Sequence, residues 1–238
     1  MRILILGYGK MGKAIEEIAE ERNHKIPHKI NINNTQALKF IDSSSIDVAI
    51  EFSQPDAAFE NIKYCLEKNI PVVSGTTGWL DRKPEIEALC HQLNGAFFYA
   101  SNFSLGVNLF FKLNELLAQM MNQHSHYSVE ICEIHHTEKL DKPSGTAITL
   151  AEGLIAHLDK KNSWVNEPVE SSDAVEIISK REAEIPGIHI VKYSSDADEI
   201  EIKHSLKSRT ALALGAILVA EWIIGKKGVF SMKDFMKF

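Results

Sequence analysis

Across the first 103 residues, short unbroken apolar runs alternate with segments of helical periodicity. No other feature restricts the fold as much. Strand-like runs occupy Arg2–Leu6, Val48–Phe52, Pro71–Ser74 and Ala96–Tyr99, with a less apolar run at Lys25–Ile32. Between them, Met11, Ile15, Ile18 and Ala19 share one helix face, and Ile86, Leu89, Cys90 and Leu93 share another. Strands that are apolar at every position need cover on both faces. A β-α-β succession supplies it by winding helices onto each side of a parallel sheet. Leu105 to Met121 is predicted as a long helix leaving that sheet.

The later half follows a different pattern. Ser128–Ile134 is strand-like, Ala147–Leu158 helical, and Asn162–Ser172 a polar loop. Strands are predicted at Val175–Ile178, Ile188–Tyr193 and Ile200–His204. Ile188 and Ile190, then Ile200 and Ile202, alternate with polar residues, as antiparallel strands with one covered face require. Such an open sheet often serves as a subunit interface, so a homo-oligomer is expected. After Arg209 the pattern returns to buried helix. The expected architecture is α/β: a Rossmann-like doubly wound parallel sheet from residues 1–103, followed by an α+β part with a mostly antiparallel sheet.

Composition narrows the partners. With 238 residues, 45% of them hydrophobic and 24% charged, the chain has the make-up of an ordinary globular protein with ample core. Its formal net charge is −6 and its Lys and Arg are scattered, which argues against nucleic acid. Cys65, Cys90 and Cys132 form no CxxC pair, so reduced thiols in the cytoplasm are expected rather than a disulfide framework or zinc ribbon. The Ile3–Leu6 run is too short for a signal peptide. The longest apolar stretch, Ala211 to Gly225, is interrupted by Glu221 and too short to span a membrane.

Gly7-Tyr8-Gly9-Lys10-Met11-Gly12 fits G-x-G-x-x-G between a strand and a helix, the context that motif needs. Gly7 permits the tight turn, Gly9 lets backbone approach a pyrophosphate, and Gly12 allows close helix–strand packing. N–H groups at the helix start then attract the phosphates. The alternative is a glycine-rich turn of another α/β fold. An acidic residue about 20 positions on usually accepts the ribose hydroxyls of NAD. Here Lys29-Ile30-Asn31-Ile32-Asn33-Asn34 has no carboxylate; Asn31 can still hydrogen-bond a ribose, and Lys29 tolerates a 2′-phosphate. NADH and NADPH therefore both remain candidates.

Gly75-Thr76-Thr77-Gly78 and Ala100-Ser101-Asn102-Phe103 each follow a strand, at the carboxyl edge where doubly wound folds hold their ligands. Helix N-capping is the competing role for Thr76 and Thr77, and a domain-exit turn for Asn102 and Phe103.

Glu133-Ile134-His135-His136-Thr137-Glu138-Lys139-Leu140-Asp141-Lys142-Pro143-Ser144-Gly145-Thr146-Ala147 carries the densest chemistry. Two histidines and a lysine precede a Pro-Ser-Gly-Thr step that opens a helix. Proton-carrying side chains thus lie beside free N–H groups, a combination suited to a small anionic substrate. Gly145 and Thr146 can present their N–H groups to a carboxylate, with dipole stabilisation of roughly 0.3–1 kcal/mol. Ser144 has a competing role as helix N-cap. Asp141 is expected to order the loop or pair with a lysine. Cys132, Glu133, His135 and His136 are close in sequence, but Cys132 and His135 point to opposite faces of a strand, so no metal is expected. His24, His28, His124 and His126 have no partner spacing and are expected at the surface.

This segment closely resembles the signature of the dihydrodipicolinate (4-hydroxy-tetrahydrodipicolinate) reductase family, E-x-H-H-x-x-K-x-D-x-P-S-G-T-A, at every specified position. Agreement extends to the N-terminal glycine loop, Glu51-Phe52-Ser53-Gln54-Pro55, Gly75–Gly78, Asn102-Phe103-Ser104-Leu105-Gly106-Val107-Asn108 and the stretch from Ser208-Arg209 to Ala220-Glu221-Trp222. The resemblance implies reduction of a small cyclic dicarboxylic acid by NADH or NADPH in lysine and diaminopimelate biosynthesis. It also implies a dinucleotide-binding domain of residues 1–103 and 209–238, to which a C-terminal helix returns, and a substrate domain, 104–208, whose sheet builds a homotetramer. The family's proton donor falls on His135, its second catalytic residue on Lys139, and a substrate contact on His136. Family members commonly carry an acidic residue where this chain has Asn31.

Two other readings compete: a two-domain amino-acid dehydrogenase with a different substrate loop, and a non-catalytic nucleotide sensor. The sensor predicts loss of proton donors beside the helix start, yet His135, Lys139 and Gly145-Thr146 are all present.

Overall fold

In the computed structural model, which describes residues 1–166, 173–208 and 210–238, the Ile3–Leu6 run is buried throughout. Its successive side chains enter different cores. Ile3 and Ile5 join one cluster with Ile50, Val73 and Phe98, while Leu4 and Leu6 join another with Ala49, Val72 and Phe97. The chain divides into two compact units, Met1–Leu105 with Arg209–Phe238, and Gly106–Ser208.

With elements numbered in chain order, the first unit holds β1 (Arg2–Leu6), α1 (Lys10–Glu21), β2 (Lys25–Ile30), β3 (Val48–Glu51), α2 (Pro55–Glu67), β4 (Val72–Ser74), α3 (Lys83–Gln92) and β5 (Ala96–Tyr99). Later in the chain it gains α6 (Thr210–Ile223), β11 (Gly228–Phe230) and α7 (Met232–Met236). Its strands pair in parallel in the order β11-β5-β4-β3-β1-β2. Ile15, Ile18 and Ala19 of α1 pack with Ala213, Ile217 and Ala220 of α6 on one face, and Phe59, Ile62, Ile86 and Cys90 of α2 and α3 cover the other. This is the doubly wound, Rossmann-like layer expected from the apolar runs. Strand β11 is an addition; three residues are too few to show a period. Gly215 lets α6 lie directly on the preceding chain, because a Cβ there would stand 1.8 Å from the Phe103 carbonyl oxygen. Among the described residues, no helix is long and apolar enough to cross a membrane.

The second unit contains α4 (Leu105–Met121), β6 (Ser128–His135), α5 (Gly145–Ile155), β7 (Ser163–Val165), β8 (Ala174–Arg181), β9 (Gly187–Ser194) and β10 (Glu199–Leu206). Strand β7 falls inside the expected polar loop, whose residues 167–172 lie outside the described residues, as does Arg209. The sheet order is β10-β9-β6-β8-β7. The expected mostly antiparallel sheet is in fact mixed: β10, β9 and β6 pair antiparallel, while β6, β8 and β7 pair in parallel. The reason is α5, which carries the chain back across the sheet after β6, so the strands that follow run in the same direction.

Phe110 and Ala118 of α4 and Leu150, Ala151 and Leu154 of α5 cover one face of this sheet over Val129, Ile131, Val175, Ile177, Val191 and Tyr193. The phase expected for β9 is reversed. His189, Val191 and Tyr193 face the helices, whereas Ile188 and Ile190 share the opposite, half-exposed face with Cys132, Ile134 and Ile178. Both sets in β9 contain apolar residues, so hydropathy alone does not choose between them. Cross-strand register does, by placing His189 opposite Glu133.

Candidate active site

Strand β6 delivers Glu133 and His135 to the helix-covered face, since residues two apart share a face. The chain then turns, with Lys139 N–H donating to the His136 carbonyl at 3.2 Å, and enters α5 at Ser144. Ser144 is the N-cap: its Oγ accepts the Ala147 N–H at 3.2 Å. Its own N–H donates to both Glu133 carboxylate oxygens at 3.1 Å. Of the first N–H groups of the helix, those of Gly145 and Thr146 meet no hydrogen-bond partner among the described residues. A Cβ on Gly145 would meet nothing within 4 Å, so an incoming anion has free access there. His136 is half-buried just beyond the end of β6.

The loop between β6 and α5 is held from β8. Arg181 Nη2 donates to the Asp141 carbonyl at 2.6 Å and Nε to the Lys139 carbonyl at 3.3 Å. Its Nη1 lies 3.6 Å from Glu133. Lys139 Nζ donates to both Asp141 carboxylate oxygens, at 2.7 and 2.8 Å, so Asp141 pairs with a lysine as expected. Burial would raise the Asp141 carboxyl, but the Lys139 hydrogen bond and charge hold it below the usual carboxylate range.

The protonation pattern follows from burial and charge. Glu133 is completely buried, which alone would raise its pKa; hydrogen bonds from Ser144 and Ser179 and the nearby His135 outweigh that and keep it low. Burial lowers His135, Glu133 partly restores it, and Lys139 and Arg181 lower it again. His189 is missing from the sequence reading. Its ring lies 5.0 Å from that of His135 at an interplanar angle of 72°, and its Nε2 is 3.2 Å from Ser144 Oγ. Burial and the neighbouring His135 push it down to about 4. Glu133, His135 and His189 bring their donor atoms within 4.8 Å of one another, with the Arg181 guanidinium supplying positive charge at the same carboxylate. His189 lies 54 positions beyond His135, and no local motif announces it.

In the first unit, the loop after β1 is built for close approach. Gly7 has φ +98°, and a Cβ there would stand 2.0 Å from the Phe52 carbonyl oxygen. A Cβ on Gly12 would stand 2.3 Å from the Gly7 oxygen, whereas one on Gly9 would meet nothing within 4 Å. Gly9 is also the N-cap of α1 without a side-chain cap, which leaves the first N–H groups of that helix for an anion. These residues fit a dinucleotide pyrophosphate. Tyr8 OH bonds the Glu16 carboxylate, which also accepts from Lys29 Nζ at 2.7 Å. Asn31 closes a turn, its Oδ1 accepting the Asn33 N–H at 2.8 Å.

At the neighbouring strand ends, the buried Glu51 carboxylate accepts from Ser74 Oγ at 2.7 Å, Thr76 Oγ1 at 2.9 Å and Ser53 N–H at 3.0 Å, tying β3 to β4. Thr76 thus braces the strand edge instead of capping a helix, while Thr77 is exposed. A Cβ on Gly75 would fall 2.2 Å from the Phe52 ring, which would have to shift to admit it. Asn102 Oδ1 accepts the Ser104 N–H at 2.9 Å; Ala100 and Phe103 are buried, and Ser101 is exposed.

Comparison with known proteins bears on both units. The family description "Dihydrodipicolinate reductase, N-terminus" matches residues 1–103, and "Dihydrodipicolinate reductase, C-terminus" matches residues 106–236. The chain is 50% identical over 238 residues to 4-hydroxy-tetrahydrodipicolinate reductase of Christiangramia forsetii, covering 99% of this chain and 98% of that one. It is 36% identical over 240 residues to the enzyme of the same name from Thermosipho africanus, covering 100% and 98%. The fold is shared with a dipicolinate-bound dihydrodipicolinate reductase from Paenisporosarcina sp. TG-14, at a TM-score of 0.76 and 22% identity over 97% of each chain. The chain therefore belongs to the dihydrodipicolinate reductase family.

Proposed function

We propose that His135 and Lys139 carry the proton and charge chemistry of an NAD(P)H-dependent reduction of 4-hydroxy-tetrahydrodipicolinate, a step of lysine and diaminopimelate biosynthesis. The activity comes with the family. The residue roles rest on one observation: a buried imidazole, a lysine and an open helix start are brought together by the β6–α5 connection. The nicotinamide supplies the hydride when bound. His135 donates a proton to the substrate, a role typically worth about 10²–10⁴ in rate. Lys139 neutralises a substrate carboxylate or the charge that develops on reduction. His136 and the N–H groups of Gly145 and Thr146 hold the dicarboxylate. A free dicarboxylic acid is the kind of ligand these groups recognise, and the Paenisporosarcina reductase was solved with dipicolinate bound.

Residues 1–103 and 209–238 form the dinucleotide-binding domain in this reading, and 104–208 the substrate and oligomerisation domain. The pyrophosphate lies on Gly7, Tyr8, Gly9, Lys10, Met11 and Gly12. Asn31 lies at the ribose, and Gly75, Thr76, Thr77, Ala100, Ser101, Asn102 and Phe103 along the strand edge. The half-exposed sheet face with Ile188, Ile190 and Ile134 builds a homotetramer in the cytoplasm, with neither nucleic acid nor membrane as partner. Sedimentation at about the mass of a 26.7 kDa monomer would remove the tetramer.

The test couples the enzyme to dihydrodipicolinate synthase, which generates substrate from pyruvate and aspartate semialdehyde, and follows NADH and NADPH absorbance. Oxidation with at least one nucleotide is expected; oxidation of neither overturns the reading. A second experiment addresses Asn31. Asn31→Asp keeps the acceptor for the Asn33 N–H but adds a carboxylate for ribose hydroxyls, which also repels a 2′-phosphate. KM should fall for NADH and rise for NADPH, with their ratio moving about tenfold, or about 1.4 kcal/mol. An unchanged ratio would place Asn31 away from the ribose.

A further inference from the structure

Glu133 touches no solvent, yet three groups of the proposed chemistry converge on its carboxylate. His135 Nδ1 stands 3.4 Å from Oε2, and Arg181 Nη1 stands 3.6 Å from Oε1. The Ser144 N–H, at the start of α5, donates to both oxygens at 3.1 Å. Arg181 in turn grips the carbonyls of Lys139 and Asp141. One buried carboxylate therefore links the imidazole, the helix start and the lysine loop. An unpaired charge in such a place would be neutralised. Here hydrogen bonds from Ser144 and Ser179 and the nearby His135 keep it ionised, with Arg181 Nη1 3.6 Å away.

The two edges of the His135 ring have different surroundings. Nδ1 is buried and makes no hydrogen bond; Glu133 Oε2 faces it at 3.4 Å as a charge partner. Nε2 lies beside Gly187, where a Cβ would stand 3.2 Å away and narrow the approach. His189 also approaches the carboxylate, its Nε2 3.8 Å from Oε2. Its burial keeps it neutral near pH 7, so it does not compete as a second cation.

We infer that Glu133 is the positioning residue of this reductase: its carboxylate, beside Nδ1, favours a proton on that nitrogen and so makes Nε2 the atom that delivers the proton. This rests on His135 being the proton donor. Delivery breaks the Nε2–H bond and forms a bond from that hydrogen to the substrate. The ring is left neutral, its remaining proton on Nδ1 beside Glu133, and solvent reprotonates Nε2 before the next turnover. The charged groups facing His135 are Glu133 on its own strand, Lys139 and Asp141 from the following loop, and Arg181 from β8. Glu133 and Asp141 favour the imidazolium, Lys139 and Arg181 oppose it, and neutral His189 from β9 adds no charge.

Glu133→Gln keeps the size and removes the charge. Turnover should fall by up to about 10⁴, the loss seen when a buried carboxylate that orients a catalytic imidazole is replaced by its amide. KM for the nucleotide should not change. The alkaline limb of kcat/KM should move to lower pH, because the protonated ring loses its main stabilising charge. Histidine NMR titration of the protein without substrate should show the same downward move for His135. Glu133→Asp, which retracts the charge by one methylene, should restore the limb part of the way and decides the matter if Glu133→Gln does not fold. A limb and a His135 titration that stay in place in these variants would reduce Glu133 to packing and overturn the inference. The two readings fail separately. Turnover retained in His135→Asn removes the proton donor itself, whereas an inactive His135→Asn with unmoved Glu133 variants removes only the positioning role.

Discussion

His135→Asn lowers kcat by about 10²–10⁴, the range for loss of a positioned general acid, and leaves the binding of NADH and NADPH unchanged. Asparagine keeps a polar group beside Glu133 but has no proton to give near neutral pH. The pH profile separates this from a packing defect. Burial holds His135 below its ordinary value in the protein without substrate, and in the proposed role the ring must be protonated to act. In the native enzyme, kcat/KM therefore falls as pH rises through the His135 pKa. A bound dicarboxylate adds negative charge near the ring and raises that pKa, so the limb in kcat should lie at higher pH than the limb in kcat/KM. His135→Asn should lose both limbs along with the rate. Stopped-flow and steady-state measurements across the pH range check this; a variant that keeps the native limb would mean another group delivers the proton.

Lys139→Ala is expected to lower kcat/KM by about 10²–10³, since removing a charged donor from a developing anion costs roughly 2.7–4 kcal/mol. Nucleotide affinity should be unaffected. Lys139 does not wait unpaired: its ammonium is bound by Asp141 at 2.7 Å. In the proposed role a substrate carboxylate would share or displace that partner, while Arg181 keeps the loop in place by its backbone carbonyls. That arrangement predicts poor rescue by Lys139→Arg, whose planar fork cannot occupy the same point between two carboxylates. Fluorescence titration with NADPH beside the coupled assay gives both quantities. Equal losses in affinity and turnover would move Lys139 from the substrate to the cofactor.

The parallel sheet was legible because its strands are apolar at every position, and such strands have few alternatives. The glycine loop was legible for a related reason. Gly7 and Gly12 are in places where a Cβ would collide with backbone at 2.0 and 2.3 Å, so the motif records a steric demand that local sequence must meet. The place of the His135–Lys139 segment, at the end of β6 and in the connection to α5, was legible because its members are neighbours in the chain.

The mixed sheet of the second unit was less legible. Strand direction depends on how α5 returns the chain, and short strands such as Ser163–Val165 carry no sign of their partners. The phase of β9 was misread because both of its faces carry apolar side chains.

Sequence by itself determined the family, the doubly wound layer and the proton-bearing segment, since each follows from local periodicity or from residues held close by the chain. Only the tertiary structure decided what surrounds the imidazole. Glu133, Arg181 and His189 come from β6, β8 and β9, and their meeting depends on strand register, in which a shift of one residue would send each side chain to the opposite face. Burial at that meeting point then set the protonation of His135 and His189, because desolvation is a property of the assembled core and not of any stretch of chain.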